Sequence, residues 1–181
     1  MSTHTDTKTS AAALVRGLAA AHKSRHPGMS ALLRWQYPQV DPRVIAGVAA
    51  DDEPGYQAGA LTAKVFALWH AGRADVHYGK RGTSLGRAMR QVGRSGAYGP
   101  RDPAAERSLT GLLDAATPAT LGAAFDRAAA HLKSADHPPH WETLATDLRA
   151  WLEPDTRDAV RLRWGQAFYT STPAATADDE S

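Results

Sequence analysis

The sequence contains no cysteine, which excludes disulfide bonds, thiolate nucleophiles and cysteine-ligated zinc sites and agrees with a reducing compartment. It also has no apolar run near the ~20 residues that a membrane-spanning helix needs. The first ten residues, MSTHTDTKTS, have neither the basic nor the apolar segment of a secretory signal. We therefore expect a cytoplasmic protein that does not contact a membrane.

The signatures of common catalytic and metal sites are missing as well. The stretch GKRGTS superficially resembles a phosphate-binding loop, but Arg81 follows Lys80 where that loop has Ser or Thr, and no convincing strand precedes it. There is no nucleophile elbow, no His-Glu-x-x-His pattern and no pair of acidic helices. We expect neither catalysis nor a cofactor.

The eight histidines keep one alternative open, a metal-dependent hydrolase. His137 and His140 in HPPH are separated by two prolines, which prevent the helical spacing of a ligand pair, so we interpret the segment as a rigid loop before a helix. For His70, near the end of a predicted helix, we expect a cationic ring that meets exposed carbonyls.

Positive charge is concentrated in one region. The chain has a formal net charge of +2, and its last residues, TADDES, contain three acids. Residues 73–107 contain eight Lys and Arg against three acidic residues. The net positive charge of this region equals the net positive charge of the whole chain without its acidic tail. This one region therefore accounts for the positive charge of the protein.

The pattern of the remaining residues predicts an all-α protein of seven to nine helices. Alanine is abundant, alternating apolar residues are scarce, and Pro and Gly separate segments with helical periodicity. We expect flexible tails at residues 1–9 and 172–181 around a helical domain at 10–171. Trp69, Trp141, Trp151, Trp164 and Phe168 lie on apolar helical faces and are assigned to the core. Trp35, beside Arg34, is compatible with either a core position or stacking on a nucleic-acid base.

The basic stretch GKRGTSLGRAMRQVGR, residues 79–94, predicts a glycine-rich loop followed by a helix that starts at Thr83 or Ser84 and reaches Val92. On that helix one face would contain three arginines, which are Arg87, Arg90 and Arg94. Three small residues, Gly82, Gly86 and Gly93, would allow a sugar-phosphate strand to approach closely. This arrangement favours contact with backbone phosphates, and nothing in it indicates base-specific recognition.

Several motifs give the chain a resemblance to a known family. GTSLGRAM follows an apolar helix ending in FALWHAG and precedes ERSLTGLLDA, an order that resembles the core of the CasB family, the small subunit of the type I-E CRISPR surveillance complex Cascade. PGMSALLRW resembles the family's N-terminal motif, and WETLATDLRAWL with VRLRWGQAFY resembles its closing helices. The resemblance covers roughly residues 10–170.

The resemblance implies an all-α protein with N- and C-terminal helical bundles, here divided near residues 95–105, and no catalytic activity. It implies partners: other Cascade subunits, a second copy of the chain, the guide RNA–DNA heteroduplex and displaced single-stranded DNA, with stabilisation of the R-loop as the function. Carried over to this sequence, the nucleic-acid-binding candidates are Arg34, Lys80, Arg81, Arg87, Arg90 and Arg94, with Lys64, Arg157, Arg161 and Arg163 as further candidates. A helical adaptor that binds an acidic protein through its basic face remains the alternative.

Overall fold

The computed structural model describes residues 3–36 and 52–170, and this part of the chain forms eight α-helices. The helices are α1 (Thr3–Lys23), α2 (Pro27–Arg34), α3 (Glu53–His70), α4 (Leu85–Met89), α5 (Pro103–Leu113), α6 (Pro118–Ala135), α7 (Trp141–Leu152) and α8 (Pro154–Tyr169). Between α4 and α5 lie two antiparallel two-residue strands, β1 (Gly93–Arg94) and β2 (Ala97–Tyr98), and a 3₁₀ turn, Gly99–Arg101. The predicted all-α class and the helix number are confirmed.

Short polar side chains and prolines start the helices. The side chains of Asp52, Ser84 and Asp102 accept hydrogen bonds from backbone N–H groups in the first turns of α3, α4 and α5. Thr117 starts α6 with a reciprocal pair of hydrogen bonds to Thr120. Five helices, α2, α3, α5, α6 and α8, also have proline in the first turn, where its missing N–H costs no hydrogen bond.

One continuous cluster of buried apolar side chains connects the helices. Helix α3 lies at its centre and contacts α1, α2, α6 and α7, while α8 packs across α4, α5 and α7. The five aromatic residues assigned to the core from the sequence are fully buried. Trp35 is only 3% exposed, so it belongs to the core and is not available to stack on a base. The division into two lobes near residues 95–105 stays a prediction.

Several elements differ from the sequence-based expectation. Helix α1 begins at Thr3, so the helix extends into the segment predicted as a flexible tail. The acidic tail expected at residues 172–181 lies outside the described residues. No helix in residues 3–36 and 52–170 is long and apolar enough to cross a membrane.

The helix predicted from Thr83 or Ser84 to Val92 is shorter than expected, because α4 ends at Met89 and the hairpin follows. The chain turns between β1 and β2 with positive φ at Ser95 (53°) and Gly96 (87°), and glycine adopts this conformation without steric cost. Arg94 therefore lies on a strand and not on the helix of Arg87, which corrects the predicted three-arginine face.

Candidate nucleic-acid interface

The loop that precedes α4 is fixed against the start of α7. The backbone N–H of His140 donates to the carbonyl of Thr83 (2.9 Å), and the indole Nε1 of Trp141 donates to the carbonyl of His77 (2.6 Å). A Cβ added at Gly79 would overlap the backbone of Pro139, so only glycine allows the loop to lie this close to the HPPH segment. The HPPH segment thus supports the basic loop.

The side chains of this loop and of the next two elements extend outward. Lys80 and Arg81 are exposed on the loop, Arg87 is exposed on α4, and Arg94 is exposed on β1. The apolar side of α4 is buried, and the Ser84 hydroxyl accepts from the N–H of Arg87 (3.3 Å). The structure therefore presents four exposed cations from 15 consecutive residues on a rigid backbone.

Arg90 has a different environment from Arg87. It caps the end of α4, is partly buried, and its guanidinium donates to the carbonyl of Phe168 near the end of α8. Because the last carbonyls of a helix have no partner within it, this bond stabilises the end of α8. Arg90 adds positive charge to the surface but also joins α4 to α8.

The glycines of the basic stretch have roles that correct the sequence-based expectation. A Cβ at Gly86 would overlap the backbone of Trp164, and a Cβ at Gly93 would overlap the carbonyl of Ala97. Both glycines therefore allow close packing within the protein. Only Gly82, with φ of +78° and no heavy atom within 4 Å of an added Cβ, leaves space for another molecule.

Arg157 and Arg161, two of the candidates on α8, are bound to carbonyls of the chain. Arg157 donates to the carbonyl of Trp151 (3.0 Å), and its guanidinium lies 4.6 Å from the centre of that indole ring. Arg161 donates to the carbonyl of Ala115 and pairs with Asp158 (3.1 Å). These contacts give both arginines a structural role, in which Arg157 joins α8 to the end of α7 and Arg161 joins α8 to the loop before α6.

The third candidate on α8, Arg163, forms a salt bridge of 2.6 Å with Asp147, whose carboxylate also accepts from the indole N–H of Trp164 (2.7 Å). Lys64 on α3 is 5% exposed, and its ammonium lies 2.8 Å from a carboxylate oxygen of Asp126. Burial leaves the Lys64 ammonium no access to a phosphate. Arg34, at the end of α2, is exposed.

The histidines do not form a metal site in the described residues, where no group of three or more His, Asp or Glu side chains is arranged so that it could hold a metal ion. His70 is fully buried; its Nδ1 lies 2.8 Å from the carbonyl of Phe66, and its Nε2 accepts from the N–H of His77 (3.0 Å). These partners fit the neutral tautomer with a proton on Nδ1. Burial lowers the pKa of His70 to about 4, so the expected cationic ring is wrong.

One candidate was not found from the sequence. Arg16 on α1 lies along a groove of about 580 Å³ between α1 and α7, which Arg81, Gly82, Thr143 and Thr146 also line. Arg16 is exposed and is separated from Arg81 by 64 residues in the chain, so no local charge pattern indicates that they lie together. The groove continues the surface of the basic loop from Gly82 towards α1.

The comparisons with known proteins agree with this fold. The sequence matches the family described as CRISPR-associated protein Cse2 over residues 7–169. The structure superposes on the crystal structure of CasB from Thermobifida fusca with a TM-score of 0.69 at 20% sequence identity, covering 91% of this chain and 98% of that chain. A search of curated proteins gave no match. The family predicted from the sequence motifs is therefore confirmed, and the chain belongs to the CasB family of CRISPR-associated proteins, also described as Cse2.

Proposed function

We propose that the chain is a non-catalytic subunit of the type I-E Cascade complex that holds nucleic-acid backbones without reading their sequence. In this function it assembles with a second copy of itself and with other Cascade subunits, and it stabilises the R-loop by contacting the guide RNA–DNA heteroduplex and the displaced DNA strand. Membership of the Cse2 family supports the assignment to a CRISPR system.

The observation that best supports the proposal is the row of exposed cations Lys80, Arg81, Arg87 and Arg94 on the loop, α4 and β1. Their backbone is fixed by α7 and by the hairpin, so little ordering of the chain is needed when a strand binds. Arg16 adds one more exposed arginine in the groove beside the open Gly82, a groove that Glu142 and Asp147 also line. Lys64, Arg157, Arg161 and Arg163 are left out, because their charges contact groups of the protein itself.

The test is the binding of labelled single-stranded DNA of mixed sequence over a range of salt concentrations. Four phosphate contacts predict a slope of log affinity against log salt of about −3, since each contact to a single strand contributes roughly −0.7. Replacing Arg87 and Arg94 together by alanine should weaken binding equally for all sequences and bring the slope to about −1.4. Filter binding measures both quantities.

Arg127→Ala is the matched control, because it removes an exposed arginine of α6, outside the loop and the hairpin. It should leave the affinity within a factor of about two of the unmodified protein and the slope at about −3. An unchanged slope in the Arg87/Arg94 double variant would contradict the proposal. If the basic face instead served an adaptor, a nuclease-treated preparation would retain an acidic protein partner and lose it in that same variant.

A further inference from the structure

Two half-exposed tyrosines lie in segments that contact Arg90. Tyr98 on β2 is 46% exposed and Tyr169 at the end of α8 is 49% exposed. They are 71 residues apart in the sequence, but the 3₁₀ turn that follows Tyr98 packs against α8, so the fold brings their backbones to one end of the molecule.

Arg90 connects the two segments. Its guanidinium donates to the carbonyl of Phe168, the residue before Tyr169. On the other side, a Cβ added at Gly99, the residue after Tyr98, would lie 2.7 Å from the carbonyl oxygen of Arg90 and 3.1 Å from its Cγ. Each tyrosine is thus one residue away from a group in direct contact with Arg90.

The ring of Tyr169 is held in place before any ligand arrives, and the ring of Tyr98 is left uncovered by the hairpin. The hydroxyl of Tyr169 donates to Glu106 (3.2 Å), and its ring meets the edge of the Phe168 ring at 87° with centroids 5.0 Å apart. Tyr98 pairs across the hairpin with Gly93, which has no side chain to cover the ring. An exposed aromatic ring with a fixed orientation loses little conformational entropy when a flat group stacks on it.

We infer that Tyr98 and Tyr169 form a stacking surface for unpaired nucleic-acid bases, so that this end of the molecule binds single strands and not duplexes. The inference rests on the proposed function, because exposed cations of the basic surface, such as Arg87 on α4, would hold the phosphates of the same strand. Aromatic rings beside a basic surface are the arrangement by which proteins bind single strands without sequence preference, since every base has a flat face. Bases in a duplex are already stacked and paired, so they gain nothing from the tyrosines.

The Glu106 carboxylate beside Tyr169 disfavours a phosphate at that point and favours the base side of the strand.

The experiment compares two single strands of equal length and charge, an oligothymidylate and the same strand with abasic sites throughout. For the unmodified protein, fluorescence anisotropy should give an affinity for the oligothymidylate at least fivefold higher, because one stacked base contributes about fivefold to 150-fold. Tyr98→Leu and Tyr169→Leu should each reduce this ratio, and the double variant should bring it close to one. None of these changes should alter the affinity for a duplex.

Two further variants separate stacking from general packing. Tyr98→Phe keeps the aromatic face and should keep the preference for bases. Leu162→Ala removes a 60% exposed side chain from α8 and should change neither affinity. The comparison of the two strands on the unmodified protein needs no variant, so it tests the inference even if a leucine variant is unstable.

Equal binding of the two strands by the unmodified protein, with the salt slope intact, would overturn the stacking surface and leave the proposed backbone-holding function standing. If the unmodified protein bound no single-stranded DNA at moderate salt, both the stacking surface and the proposed backbone-holding function would be overturned. A preference for bases that persists in the double leucine variant would place the stacking elsewhere and also contradict the inference.

Discussion

His70 shows how a single buried side chain can make stability depend on pH. Its ring is fully buried and stacks on the Phe66 ring, with the two ring centres 3.9 Å apart. Both ring nitrogens form hydrogen bonds that require the neutral form. The pKa of His70 is about 4 in the folded chain against 6.5 for an ordinary histidine. The unfolded chain therefore takes up the proton first as pH falls. The contribution to stability is complete above pH 6.5, decreases below it, and levels off near pH 4.

This difference in pKa predicts that the free energy of unfolding falls by about 2 kcal/mol between pH 7 and pH 5 through His70 alone. Urea unfolding at both pH values measures the fall. Because other groups also titrate, the control is His70→Gln, which cannot take up the proton. It should be less stable than the unmodified protein at pH 7 and should lose less stability on going to pH 5. An equal loss in both proteins would show that His70 is not the group responsible.

The sequence indicates the environment of some basic side chains and not of others. Exposure of Lys80, Arg81 and Arg87 agrees with their position in a glycine-rich basic stretch, because charged side chains are rarely buried in a protein core. For Arg157 and Arg161 the sequence contains no such signal. Their partners include the backbone carbonyls of Ala116 and Ala115, which are distant in the chain. Because every residue has a backbone carbonyl, the amino-acid types do not indicate these contacts.

Helix α4 depends on the absence of a side chain at Gly86. Its five residues are too few to be stable alone, so the helix depends on packing against α8. We predict that Gly86→Ala destabilises the protein by about 3 kcal/mol, at the upper end for overpacking, because the obstacle is the backbone of Trp164 and cannot rotate away. The shift of the urea midpoint at constant m-value measures this loss.

Gly82→Ala is the matched control for that substitution. Gly82 lies in the loop just before α4, and an added Cβ meets no atom within 4 Å, so only its positive φ of +78° opposes alanine. The expected loss is about 1 kcal/mol. Equal losses for the two variants would mean that α4 moves away from α8 without cost.

Elements with strong local signals were predictable, and the hairpin was not. The Asp-Pro start of α5 and the Thr-Pro start of α6 combine a capping side chain with a proline, so their beginnings follow from the sequence. Beyond Met89 the residues Arg90, Gln91 and Val92 are compatible with a helix. The chain leaves it because the N–H of Gly99 bonds to the carbonyl of Val92 (2.8 Å), a contact made by the returning hairpin. Such a contact depends on the fold, and helical periodicity does not contain it.

The arrangement of the whole molecule bears on the predicted division into two lobes. The buried cluster extends from Val15 in α1 to Phe168 in α8 without interruption, and α3 packs against both α6 and α7. Helices that share a core lose their packing together, so the two predicted lobes should not unfold separately.

We therefore predict one cooperative unfolding transition. Tryptophan fluorescence, which reports on the core, and far-ultraviolet circular dichroism, which reports on all helices, should give the same urea midpoint and the same m-value. Phe66→Ala in α3 should lower the free energy of unfolding by roughly 3–5 kcal/mol and shift both curves equally, because the cavity lies between helices of both predicted bundles. Leu162→Ala, at an exposed position of α8, should shift neither by more than about 0.5 kcal/mol. Two separate midpoints, or a plateau in the Phe66 variant, would show that the helices after residues 95–105 fold independently of α3 and that the lobes are separate units.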